Sequence, residues 1–98
     1  MIKVDEINKI VNEEFGSIRS IYYDNKTWYA ATDITKALGY KNNCKTIHNH
    51  CNNDTVIKAK VGNKGQTLLF IEEKNLYRLI ICSKLKTANK FKEWIFNQ

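Results

Sequence analysis

The chain has 98 residues, 43% of them hydrophobic and 27% charged, which suits one folded core and argues against wholesale disorder. Sixteen Lys and Arg against ten Asp and Glu give a net charge of +6, which favours an anionic partner, nucleic acid foremost. No apolar run approaches the ~20 residues that span a bilayer and no secretory leader opens the chain, so a cytoplasmic protein with reduced thiols is expected.

Residues 1–14 support two readings. Ile7, Ile10 and Val11 fit a helical stripe, while Lys9 to Asn12 also fits a short edge strand. Ser17 to Tyr23 is rich in β-formers, Asp24-Asn25-Lys26 is turn chemistry, and Thr27 to Ala31 returns as a second strand. Together they predict a hairpin. Thr32 is expected to cap a helix of about two turns, with Asp33 at the positive end of its dipole. Ile34, Ala37 and Leu38 form its inward stripe, and Gly39 ends it.

Asn42 or Asn43 is expected to cap a second helix running to Cys51. Thr55 to Val61 alternates, with Ile57, Ala59 and Val61 on one face and Lys58 and Lys60 on the other. Gly62-Asn63-Lys64-Gly65 turns the chain into an apolar strand, Gln66 to Ile71. Glu73 to Ser83 predicts a helix with Leu76, Leu79 and Ile80 inward. Thr87 is expected to cap a last helix whose stripe is Ala88, Phe91, Trp94 and Ile95. The predicted fold is a small single α+β domain of two β-hairpins and about four short helices. Its helix-turn-helix-like pair is followed by a basic hairpin.

That order matches a winged helix-turn-helix, in which the second helix enters the major groove and the hairpin touches backbone. The expected nucleic-acid-binding residues are Lys36, Lys41, Asn42, Asn43, Lys45, Thr46, Asn49, Lys58, Lys60 and Lys64. Lys45, Thr46 and Asn49 would face base edges, and Lys41, Asn42 and Asn43 would sit near phosphate. Two core helices with solvated lysines remain the alternative. Cys44, His48, His50 and Cys51 have a superficial zinc-ligand look. No CxxC pair exists and one helix rarely supplies a tetrahedral site, so no metal and no cofactor are expected. No grouping of residues suggests an enzyme.

Several blocks resemble one family in order. They are Asn12 to Arg19, Trp28 to Asn42, His50 followed by Asp54, Asn75 to Ile80, Ser83-Lys84-Leu85, and Ala88 to Asn97. This chain resembles the Bro-N domain, which opens phage antirepressors and the BRO proteins of large DNA viruses. Asn75 stands where a glycine is common and Gln98 where a glutamate is; Cys44 and Cys51 are not part of the pattern. The resemblance implies a DNA-binding regulatory module of a phage or prophage protein, acting in a bacterial host on double-stranded DNA. The competing expectations are a module that binds and disables a phage repressor, or a homodimerisation domain. The final helical turn, Trp94 to Gln98, lacks a stop signal, so 1–98 is expected to be a Bro-N fragment of a longer protein.

Overall fold

Two tight turns organise the first half of the sheet. The computed structural model describes residues 2–4, 6–41, 45–46, 56–61 and 67–98. Asp24 and Asn25 both have positive φ, 55° and 61°. That is the geometry of a two-residue hairpin turn matched to strand twist. It joins β3 (Gly16–Tyr23) to β4 (Lys26–Ala30), with Tyr23 opposite Lys26. Before it, the side-chain Oδ1 of Asn12 accepts the backbone N–H groups of Glu14 and Phe15 at 2.7 and 3.1 Å. Gly16 follows at φ +81°, a value that favours glycine. This loop pairs β2 (Asn8–Asn12) with β3, so the strand reading of residues 9–12 holds.

β1 (Ile2–Val4), β5 (Val56–Val61) and β6 (Thr67–Glu72) complete the sheet. The strand order is β1-β5-β6-β4-β3-β2. β1 lies parallel to β5, and every other neighbouring pair is antiparallel. The two hairpins meet where β4 pairs with β6, with Trp28 opposite Glu72, Tyr29 opposite Ile71 and Ala30 opposite Phe70.

Strand alternation sorts the apolar residues into two clusters. Ile18, Tyr29 and Ile71 point to one face, which three helices cover. These are α1 (Ala31–Ala37), α2 (Glu73–Cys82) and α3 (Ala88–Phe96). Ile34 and Leu38, then Leu76, Leu79 and Ile80, then Phe91 and Ile95 are buried against that face. The predicted inward stripes of α2 and α3 therefore hold, Trp94 being half-buried at the margin. On the opposite face of the curled sheet, Ile21, Trp28, Ala30, Ala59 and Phe70 form a second cluster, the inner cluster. There the Trp28 indole donates to the Tyr23 carbonyl at 2.9 Å.

Two clamps tie loops to helices. Phe15 meets Phe91 edge-on at 5.1 Å and stacks on Trp94 at 5.9 Å, while Lys90 pairs with Glu14 at 2.7 Å. These contacts hold the β2–β3 turn on α3. The second clamp is Arg19 to Asp33. Register between β3 and β4 ends at Ser20 opposite Tyr29, so the next N–H on β3, that of Arg19, has no partner on β4. The Asp33 carboxylate takes it at 2.9 Å and also accepts from the guanidinium Nε and Nη2, at 2.8 and 2.9 Å. The pair holds the Arg19 guanidinium above its ordinary value, the hydrogen bond outweighing the burial that opposes it.

The structure corrects the predicted architecture. Both hairpins exist, but as parts of one curled, mixed six-stranded sheet that also takes in β1 and β2, and the fold is not two separate hairpins with four helices; α1, α2 and α3 are the helices whose bounds lie among the described residues. A winged helix-turn-helix is not the frame. α1 leaves β4 without a linker and packs Ile34 and Leu38 into the cluster on the sheet face. Most of the expected second helix, with its Asn42, Asn43, Cys44, His48, Asn49, His50 and Cys51, lies outside the described residues; Lys45 and Thr46 are helical. Two capping expectations also change. α1 starts at Ala31, with extended Ala30 at its N-cap, so Thr32 lies inside the helix. Thr87 does occupy the N-cap of α3, but no side-chain capping bond forms.

Two tests follow from these contacts. Asp33→Ala leaves the Arg19 N–H and guanidinium without their acceptor and is expected to cost about 2 kcal/mol, read from urea unfolding. A loss within about 0.5 kcal/mol of zero would show that the clamp adds nothing. Burial holds the Tyr29 phenol above its ordinary value, with the charge of Glu73 adding to it. As pH rises past about 10 the unfolded phenol ionises first. Stability that is complete below that pH is therefore lost as the pH climbs through the folded value. Tyr29→Phe should show a shallower loss of stability than the parent above about pH 10, measured by chemical denaturation.

Candidate nucleic-acid interface

The basic hairpin is built by alternation. Lys58 lies opposite Leu69 and Lys60 opposite Thr67, while Ile57 and Ala59 turn to the inner cluster with Phe70 and Leu68. The predicted division of Lys58 and Lys60 from Ile57 and Ala59 is therefore observed. β1 adds something that local sequence patterns do not announce. Its parallel register sets Lys3 beside Lys60, with Ile2 and Val4 turned to the inner cluster. Lys3, Lys58 and Lys60 thus share one face at the β1–β5 side of the sheet. Lys3 and Lys58 are exposed and Lys60 is half-buried. None of the three makes an ion pair among the described residues.

Lys36, in the last turn of α1, and Lys41 are exposed, as is Lys45. Thr46 is buried, 8% exposed, and so stands apart from that exposed set. Asn42, Asn43, Asn49 and Lys64 lie outside the described residues. The described part of the expected site is therefore Lys58 and Lys60 on the sheet, with Lys36, Lys41 and Lys45 along and after α1.

The loop carrying Lys41 is pinned from several sides. Gly39 adopts φ +80° and its N–H bonds the Lys36 carbonyl at 3.2 Å. The Tyr40 N–H bonds Thr35 O at 2.9 Å, and its hydroxyl donates to the Leu79 carbonyl at 2.8 Å. Ser83 Oγ then donates to the Leu38 carbonyl at 2.9 Å. These bonds join the end of α1 to α2, so Lys41 leaves from a fixed base. Tyr40 is half-buried and serves as this bolt. Tyr77, by contrast, is exposed.

Comparison with known proteins settles the family. The BRO family N-terminal domain, Bro-N, matches residues 17–98. The chain belongs to that family. The Bro-N match takes in β3, β4, β5, β6 and all three described helices, and begins after β1 and β2. Lys3 thus lies outside the matched span, whereas Lys58 and Lys60 lie inside it. An uncharacterised protein of Haemophilus influenzae (strain Rd) is 40% identical over 73 residues, covering 72% of this chain and 36% of that protein. The chain therefore spans about a third of the length of that relative. No solved structure matches. Among the described residues no three His, Cys, Asp or Glu side chains group as a metal site. No helix among them is long and apolar enough to cross a membrane.

The loop can be probed directly. Tyr40→Phe removes the bond to Leu79 and should lower stability by about 1 kcal/mol. Gly39→Ala meets only ordinary contact with Leu85, at 3.5 Å, so its cost comes from the positive φ and should also be about 1 kcal/mol. Thermal melting of both variants checks this; unchanged melting in both would mean the loop is not held by these features.

Proposed function

We propose that this Bro-N domain is a duplex-DNA-binding regulatory module of a phage- or prophage-encoded protein. In this reading it acts in the bacterial cytoplasm by occupancy rather than by chemistry. The observation that carries the reading is the sheet face of Lys3, Lys58 and Lys60, three cations without an acidic partner among the described residues. Two of them sit at alternate positions of one strand, so they project from a rigid sheet, which lowers the ordering cost of meeting an anionic backbone. Exposed Lys36, Lys41 and Lys45 extend the basic character beyond the sheet. Lysine contacts of this type bind phosphate and position the protein; base reading then falls to other side chains. The net charge of +6 supports the same class of partner.

Each phosphate neutralised by a cation releases counterions, so affinity should fall steeply with salt. A double variant, Lys58→Gln with Lys60→Gln, should reduce the slope of log affinity against log salt by about 2. It should weaken binding to different duplex sequences by similar factors. Fluorescence anisotropy on short duplexes across a salt series makes the measurement. No binding to duplex DNA at low salt, or a slope that the double variant leaves unchanged, would remove the reading.

A further inference from the structure

The outer side of α2 and the loop that follows it carry exposed apolar residues. Ile81 is 68% exposed, Leu85 42% and Tyr77 40%. Tyr77 and Ile81 are four residues apart, one above the other on the helix. A groove of about 310 Å³ runs beside them between α2 and α3, with Ile80, Ala88 and Asn89 in its wall. The Tyr77 ring is already fixed, stacked on Phe96 at 5.9 Å and covered by the Lys92 ammonium at 4.8 Å. A large, pre-ordered aromatic beside an exposed isoleucine is the composition of an interface centre rather than of a solvated helix face.

The rim is cationic. Lys86 and Lys92 border the groove, Lys74 and Arg78 flank Tyr77 on its other side, and Lys84 lies beside Leu85. The acids nearby are Glu72 and Glu73 at the start of α2, and Glu72 already pairs with Lys26 at 3.5 Å. A second copy of this chain would bring two such rims together, which like charges disfavour. The stripe of α3 offers no alternative self-contact, because Ala88, Phe91 and Ile95 are buried inside the domain.

We infer that the Tyr77–Ile81–Leu85 stripe docks an acidic amphipathic helix of a partner protein. Its apolar residues at i, i+3, i+4 and i+7 would lie in the groove, and its carboxylates would meet the lysine rim. This surface is separate from the Lys3–Lys58–Lys60 face and does not rest on the DNA reading.

The probe is a synthetic helical peptide with leucines at those positions and glutamates elsewhere. Its control keeps the leucines and carries lysine for every glutamate. Binding to the isotope-labelled 98-residue domain is followed by amide shift mapping and anisotropy. The glutamate peptide should bind, shift the amides of residues 77–85 most, and weaken as salt is raised. The lysine peptide should not bind. Ile81→Asp should weaken the glutamate peptide by at least about tenfold, with an unchanged circular dichroism spectrum because Ile81 lies outside the core. Lys86→Glu with Lys92→Glu should weaken it as well. Absence of binding, equal binding of both peptides, or shifts centred elsewhere would overturn the proposal. So would a domain that self-associates and becomes monomeric in Ile81→Asp, since the occupant would then be a second copy. Displacement of the glutamate peptide by short duplex DNA would also overturn it, by giving the stripe to nucleic acid.

Discussion

The pairing of β4 with β6 is the constraint on which the rest of the molecule depends. Each hairpin alone is a marginal structure with two open edges and one apolar face too many. Bringing Trp28, Tyr29 and Ala30 beside Glu72, Ile71 and Phe70 makes one sheet of the two. It also completes both clusters, since Tyr29 and Ile71 belong to one and Trp28, Ala30 and Phe70 to the other. Both central strands run straight into helices, β4 into α1 and β6 into α2. Because the strands are antiparallel, the two helices start from opposite ends of the seam. The Tyr40 and Ser83 bonds then tie the end of α1 to α2 across the sheet's outer side.

This seam explains what was legible in the sequence and what was not. Hairpins are local, and their turn residues announce them: Asp24 and Asn25 tolerate positive φ, and the alternation in 56–61 sorts Lys58 from Ile57 without help from elsewhere. Helix faces are local too, so Leu76, Leu79, Ile80 and Phe91 could be assigned inward from spacing alone. Pairing between β4 and β6 joins residues forty or more positions apart, and no periodicity encodes it. With the seam invisible, nothing in the local pattern places Ile34 and Leu38 of α1 against the sheet face that β4 and β6 form. The same blindness applied to β1, whose three residues are too few to show a period and whose parallel partner lies far along the chain. Asp33 reads locally as an acid at a helix start, and it does lie in the first turn of α1. Its main partner, Arg19, is fourteen residues away on a strand.

The basic site was half legible for the same reason. Lys58 and Lys60 follow from alternation, but Lys3 joins them only through the parallel register, and nothing near residue 3 signals it. Thr46 shows the opposite limit. A polar residue next to a lysine reads as an outward position, yet it is buried. Exposure on a short helix depends on what packs over it, and that is tertiary information. Tyr40 makes a similar point, since a tyrosine after a glycine turn suggests a surface aromatic. Its hydroxyl instead satisfies a carbonyl of α2, the usual requirement for a phenol carried into a protein's interior.

The two proposed surfaces differ in how their lysines are placed, and that difference would separate their partners. On the sheet, Ile2, Val4, Ile57 and Ala59 turn to the inner cluster, while Lys3, Lys58 and Lys60 share the other face with half-buried Val56 and Leu69, so the exposed part of that face is mainly charge. A phosphate backbone asks for that. On α2 the cations surround Tyr77, Ile81 and Leu85, so charge guides an approach that apolar contact must complete. Nucleic acid gains little from an exposed isoleucine, whereas an amphipathic helix gains from both parts. Salt should therefore weaken the two interactions unequally. Binding at the sheet face would rest almost wholly on counterion release. Binding at the stripe would retain the share due to burying Ile81 and Leu85.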